Sequence, residues 1–222
     1  VPAVVGLSFV LFRCLHLLVD CRSGDIAIPS VWEYLRYTTY WPCLLSGPIQ
    51  HYPDFQRQSV AWHGGIDRRI VYRALSLLLS GYFFAVVLGG AIDLWLKVVG
   101  PRAADNSASL GLTAMAYFLF LYFNFAGYTR MALGTSLLFG IVLPDNFREP
   151  WRARNLLEFW GRWHITLSSW LRTYVFTPLM RRLAEVQPQA GGGVAHAVLA
   201  TFVTFVLIGL WHGNNVVFLG YG

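Results

Sequence analysis

The sequence predicts an all-α polytopic membrane protein, and three observations carry that prediction. Of the 222 residues, 56% are hydrophobic and only 13% are charged, about half the ~25% typical of a soluble domain. The charges are bunched, so long stretches between them are nearly uncharged. Arginines flank those stretches, which is the pattern of the positive-inside rule. The net charge of +6 is therefore assigned to membrane topology, and nucleic acid is excluded as a partner.

The elements follow in order. Residues 1–19 are long and apolar enough to span, although Arg13 and His16 interrupt them and should face protein or water. Residues 20–29 are a polar connection. Residues 32–49 are aromatic and punctuated by Pro42, Gly47 and Pro48, which suits a re-entrant or interfacial segment. Residues 51–73, with Arg57, Arg68, Arg69 and Arg73, are expected to be a polar cytoplasmic loop. Residues 74–99 hold a span, with Asp93 expected to pair with an arginine or mark its end. Residues 100–107 make a polar turn, and residues 108–125 a second span. Residues 127–143 are apolar but interrupted by Arg130, Gly134 and Gly140, compatible with a crossing or with a dip and return.

Residues 144–182 form a second basic zone. If it shares a side with the first, an even number of crossings separates them. Residues 187–193 are a flexible turn, and residues 194–210 lead outward. At a rise of ~1.5 Å per residue, His212 lies ~27 Å along that helix from Val194. Against a hydrocarbon core of ~30 Å, this puts His212 in the half of the membrane away from the basic zones. The chain opens and stops inside apolar runs. It is expected to be a piece of a longer polypeptide, with residues 1–222 a single domain truncated at both ends. The cysteines, Cys14, Cys21 and Cys43, form no C-x-x-C pair and are expected to act as small buried apolar residues.

Two histidines draw the chemistry. His212 stands in Trp211-His212-Gly213, followed by Asn214 and Asn215. Glycine permits close approach, the amides are donors suited to a substrate or an oxyanion, and imidazole is the side chain that exchanges protons near neutral pH. The plainer alternative is an interfacial histidine beside an aromatic-belt tryptophan. His164 closes the aromatic stretch Phe159-Trp160-Gly161-Arg162-Trp163-His164. Projected as one helix, residues 155–175 gather Asn155, Glu158, Arg162, Thr166, Ser169 and Thr173 on one face. Leu156, Trp160, Trp163, Leu167, Leu171 and Tyr174 gather on the other. His164 falls on the apolar side, and a structural, hydrogen-bonded histidine is the reading this pattern favours there. His16, His51, His63 and His196 are expected to be structural or at the surface. No H-E-x-x-H-like cluster is present, and no metal is expected.

Tyr122-Phe123-Asn124-Phe125-Ala126-Gly127-Tyr128 resembles the F-D-F-S/A-G-Y signature of membrane-bound O-acyltransferases. The likeness continues through Phe139-Gly140-Ile141 and Pro144-Asp145-Asn146-Phe147. Phe159-Trp160, Arg162-Trp163-His164 and Leu167-Ser168-Ser169-Trp170-Leu171-Arg172 are similar to the family's F-W-x-R-W-H-x-S-L-S-x-W-x-R-D-Y block. Gly209-Leu210-Trp211-His212-Gly213 matches G-x-W-H-G, and Ser46-Gly47-Pro48-Ile49 resembles an A/S-G-P-I element. The chain departs from these patterns at Asn124, Thr166 and Thr173. The first and last of these remove an acidic residue, so the shell around the histidines differs from the family pattern.

The resemblance implies a helical bundle around a central tunnel, with re-entrant and amphipathic helices, in the bacterial branch that D-alanylates teichoic acid or O-acetylates alginate and other polysaccharides. It implies a multi-pass protein of the bacterial cytoplasmic (inner) membrane. The expected activity is transfer of an acetyl or D-alanyl group from a cytoplasmic thioester, acyl-CoA or an acyl-phosphopantetheinyl carrier protein, to a hydroxyl of a cell-envelope polysaccharide or teichoic acid. No bound cofactor is implied. His212 is expected as general base with His164 as second motif histidine, and Asn214, Trp211, Trp163 and Asn124 as substrate-binding residues. Two other classes stand beside this one: a proton-coupled transporter, which would need broken spans in matching halves, and a non-catalytic membrane scaffold, indifferent to loss of either histidine.

Overall fold

The computed structural model describes residues 5–61, 67–100, 107–186 and 193–213. It divides into two compact units, Val1–Arg148 and Glu149–Gly222. Every regular element among the described residues is helical, as the sequence predicts. Among the described residues, three helical stretches are long and apolar enough to cross a membrane: Arg68–Val99, Ser107–Leu138 and Gly193–His212.

In the first unit, α1 (Val5–Ser23) ends before Gly24, whose φ of 81° is the left-handed conformation that stops a helix. It is not one of the three candidate spans. Two of its polar residues turn inward: Arg13 and His16 are 2% and 0% exposed. The Arg13 guanidinium donates to the carbonyls of Tyr37 and Thr38 at 3.3 and 3.4 Å, at the end of α2 (Val31–Thr38). A cation at a helix C-terminus complements both its free carbonyls and its dipole. At the other end of α2, Ser30 Oγ accepts the Glu33 N–H while Glu33 accepts the Ser30 N–H at 2.8 Å, closing a capping box. A 3₁₀ turn, Trp41–Cys43, follows, so residues 32–49 are the short, broken segment their prolines and glycine predict.

Residues 51–73 differ from expectation. They contain α3 (Tyr52–Ala61), and α4 (Arg68–Tyr82) begins within them. The charges that suggest a loop lie on solvent-facing turns, while Tyr52 and Phe55 are buried with Leu17, Tyr37, Cys43, Ile141 and Leu143. An amphipathic helix anchored by two such aromatic rings reads as polar sequence.

The chain then runs through α4, a π-helical stretch Phe83–Leu88 and α5 (Gly89–Val99) as one apolar rod. Asp93 pairs with Lys97 one turn on, at 2.6 Å, rather than with an arginine. Next, α6 runs unbroken from Ser107 to Leu138. Residues 127–138 are thus the second half of one long helix, not a separate crossing or dip, and two rods separate the basic zones. Glycine does not interrupt α6 because it serves packing. A Cβ at Gly127 would meet the Ala85 nitrogen at 2.5 Å and the Gly81 oxygen at 2.6 Å, and one at Gly134 would meet the Ala74 oxygen at 2.7 Å. Backbones that close leave no room for a side chain. The turn comes at Gly140, φ 74°. Ser136 Oγ donates to the Ile141 carbonyl at 2.9 Å, and the Gln58 amide brackets Val142, accepting its N–H at 2.6 Å and donating to its carbonyl at 3.2 Å.

The second unit holds α7 (Leu156–Trp160), α8 (Ile165–Leu171), a π-helical stretch Arg172–Phe176, α9 (Thr177–Val186) and α10 (Gly193–His212). Residues 155–175 are therefore not one helix. Asn155 caps α7 by accepting the Glu158 N–H at 2.8 Å, Gly161 ends it, and the chain re-enters helix only after His164. The break rearranges the projected faces. Leu156 and its neighbour Leu157 are 68% and 74% exposed although the projection puts Leu156 inward, and Thr166, projected outward, is 7% exposed. Ser169 and Thr173 stay exposed, and Glu158 pairs with Arg162 at 2.8 Å as the i, i+4 spacing predicts.

Candidate active site

Within the second unit, His164 is the residue that breaks the helix. Its φ of 43° and ψ of 53° are left-handed. For a residue with a Cβ this conformation is uncommon and costs of order 1 kcal/mol or more, and such residues cluster at functional sites. The surroundings hold it there. The His164 carbonyl accepts the Ser168 N–H at 3.0 Å, opening α8, and Ser168 Oγ donates to the Trp163 carbonyl at 3.2 Å. Trp163 stacks on Phe159 with ring centroids 5.7 Å apart and planes 16° from parallel.

The imidazole so presented is buried, at 6% exposure. Its ring meets that of Trp211, 6.5 Å between centroids and 67° between planes, and Trp211 in turn meets His212 at 4.6 Å. Burial pushes His164 down to about 3, with the neighbouring His212 contributing in the same direction. The ring is therefore neutral at physiological pH.

His212 is the last residue of α10 and is exposed. It sits where the last helix carbonyls lack intrahelical partners. The Gly213 N–H returns to the Gly209 carbonyl at 3.2 Å, so the helix is continued for one more bond past the histidine. Gly209 is buried. Phe205, on the same helix, packs edge-on against Trp160 of α7 with ring centroids 5.6 Å apart.

Four of the six sequence-predicted site residues, His164, Trp163, Trp211 and His212, thus gather in one unit. Asn124 is exposed on α6 in the first unit. Asn214 lies outside the described residues.

A second polar cluster, in the first unit, is built from histidines that the sequence places as structural or at the surface. His16 Nδ1 lies 3.0 Å from Asp20 Oδ2. His16 Nε2 is 2.7 Å from the Tyr37 hydroxyl and accepts the Tyr52 N–H at 3.2 Å. Tyr37 donates onward to the Gln50 carbonyl at 2.6 Å. The His51 ring is 5.1 Å from that of His16. His and Asp at i, i+4 on α1 are the signal the sequence offers, but nothing local announces that His51 joins them.

Comparison with known proteins accords with this geometry. Residues 8–220 match the model of the MBOAT family, described as membrane-bound O-acyltransferases. The chain is similar to the "Teichoic acid D-alanyltransferase" of Bacillus subtilis (strain 168), 30% identical over 98% of this chain and 56% of the relative. It is also similar to the "Probable alginate O-acetylase AlgI" of Pseudomonas syringae pv. tomato, 32% identical over 98% of this chain and 40% of the relative. The chain spans about half the length of the curated relatives it matches. With its motifs in family order and its histidine pair in contact through Trp211, this all-helical chain belongs to the membrane-bound O-acyltransferase family.

Proposed function

We propose that this chain carries the histidine pair of a bacterial membrane acyltransferase, with residues 1–222 forming part of one acyltransferase domain. The reaction is transfer of an acetyl or D-alanyl group to a hydroxyl of a cell-envelope polysaccharide or teichoic acid. The donor is a cytoplasmic thioester, acyl-CoA or an acyl-phosphopantetheinyl carrier protein, and the setting is the cytoplasmic membrane. The observation that carries the reading is the meeting of two family-motif histidines, distant in sequence, across the Trp211 ring.

An alcohol is a poor nucleophile at neutral pH, so a base must take its proton as it attacks. His212 suits that role because it is the accessible member of the pair. As the hydroxyl oxygen adds to the thioester carbonyl, the His212 ring accepts the hydroxyl proton. On collapse, the thiolate leaves and takes that proton back, regenerating the neutral ring. Neutral His164, held by its strained backbone, positions donor or acceptor. Trp211 and Trp163 wall the reacting groups. Asn214 is assigned the role of donor to the developing oxyanion, and Asn124 a part in substrate binding.

The decisive experiment is to incubate membranes containing the full-length protein with labelled acetyl-CoA or with a charged carrier protein, and to follow label into envelope polymers. Label in a polysaccharide or teichoic acid, lost in His212→Ala at equal protein level, supports the reading. Equal label with and without His212 sinks it.

A further inference from the structure

We propose that Arg130, laid over Phe84 in the first unit, binds an oxyanion, a phosphate or carboxylate carried by an acyl-transfer substrate. Its Cζ lies 3.9 Å from the centroid of the Phe84 ring. Among the described residues Arg130 makes no hydrogen bond and no ion pair. Other arginines are satisfied differently. Arg57, Arg152, Arg162 and Arg182 each meet a carboxylate, and buried Arg13 meets backbone carbonyls. A guanidinium attracted to a ring face keeps its planar fork of N–H donors for a second partner. That fork matches the paired oxygens of phosphate and carboxylate.

The depth of this cation gives the open fork its meaning. The rod that carries Phe84 is uncharged from Ala74 to Ile92, between Arg73 and Asp93. At ~1.5 Å per residue that stretch is ~28 Å long, close to the ~30 Å of a hydrocarbon core, and Phe84 stands near its midpoint. A cation at such depth pairs with an acid or faces a water-filled cavity, and marks a substrate path. A lipid headgroup stays at the interface, so the oxyanion that reaches Arg130 is one a substrate brings along a polar passage. The scaffold around the pair is rigid. A Cβ at Gly81 would meet the Gly127 oxygen at 2.7 Å and the Met131 nitrogen at 2.9 Å, so α6 and the rod touch backbone to backbone on either side of Arg130 in sequence. Phe123, two turns before Arg130 on α6, packs edge-on against the same Phe84 ring at 5.3 Å. Phe84 also belongs to the π-helical stretch Phe83–Leu88, a backbone form frequent at functional sites. The choice of an acyl-transfer substrate as carrier rests on the reading of the histidine pair, and the anion site itself does not.

The experiment uses the full-length protein in nanodiscs of zwitterionic lipid and a membrane-impermeant, negatively charged phenylglyoxal, with modification of Arg130 read by peptide mass mapping. Arg130 should be modified when no ligand is added. One of coenzyme A, a glycerol-phosphate oligomer or a uronate oligomer should slow that modification saturably, and a neutral glucan should not. Protection by coenzyme A makes the donor the carrier of the oxyanion, and protection by an oligomer makes the acceptor the carrier. Arg130→Gln should weaken binding of the protecting probe at least about tenfold. Arg130→Lys, which keeps the charge and loses the fork, should recover part of it. No modification of Arg130, equal modification with every probe, or equal binding by Arg130→Gln overturns the proposal. So does protection by phosphatidylglycerol in the disc alone, which makes a lipid headgroup the ligand. The protection measurement needs no variant, so a misfolded variant leaves the question decidable. Because acyl transfer is not the readout, the outcome is independent of whether His212 is the base.

Discussion

His16 and His164 are both buried, and they are held in opposite ways. His16 rides a regular stretch of α1 and is fixed by polar partners at both ring nitrogens: Asp20 on one side, Tyr37 and Tyr52 on the other. His164 breaks its helix, carries a left-handed backbone and sits among the rings of Trp211 and its neighbours. A ring saturated by fixed partners is anchored and belongs to architecture. The His164 ring is instead set by a left-handed backbone and by packing against Trp211. The contrast separates two residues of the same type that burial alone does not distinguish.

The largest expected effect breaks the comparison on the catalytic side. His212→Ala should lower acyl transfer by about 10²–10⁴-fold, the range for loss of a general base, with thermal unfolding in detergent unchanged. His16→Ala should do the reverse. It removes a fully buried ring and strands Asp20 and the Tyr52 N–H, costing about 2–4 kcal/mol in denaturant or thermal unfolding. A large stability loss from His212→Ala, or none from His16→Ala, would erase the distinction.

The pH dependence of His164 sharpens it. Its folded-state value of about 3 lies below its ordinary 6.5. Between those values the unfolded chain binds the proton and the folded chain does not, so stability is present above 6.5 and is lost as pH falls toward 3. His164→Gln should remove that part of the acid-side slope, visible as a flatter plot of melting temperature against pH. A slope identical to that of the unaltered chain would refute the neutral, desolvated ring.

Smaller effects probe single bonds. Tyr37→Phe removes the hydroxyl between His16 and Gln50 and should cost about 1 kcal/mol without touching transfer rate. Glu158→Gln breaks a partly exposed pair with Arg162. It should change stability by no more than about 0.5 kcal/mol, so a larger change would mean that this pair bears on how the His164 break is held.

Much of the fold is legible in the sequence, because a membrane demands long apolar segments and those need no partner to be recognised. The rods Arg68–Val99 and Ser107–Leu138 and the helix Gly193–His212 follow from that demand. So do the broken 32–49 segment, from its prolines, and the Glu158–Arg162 pair, from its spacing. The departures share one cause. Residues 51–61 read as loop because an amphipathic helix with two buried anchors looks polar until Tyr52 and Phe55 meet α1 and α2. Gly134 reads as an interruption of α6 because sequence does not show that Ala74 packs against it. The single helix over 155–175 fails at His164, where local periodicity continues but the backbone turns left-handed.

The sequence by itself determined which segments are apolar rods and which family motifs the chain carries, since these depend on composition and spacing along one chain. Only the tertiary structure decided that His164 is strained and faces Trp211, that glycines in α6 are contact points, and that His51 joins His16 and Asp20. Those facts depend on groups distant in sequence meeting in space, and a local pattern holds no record of what it will be packed against.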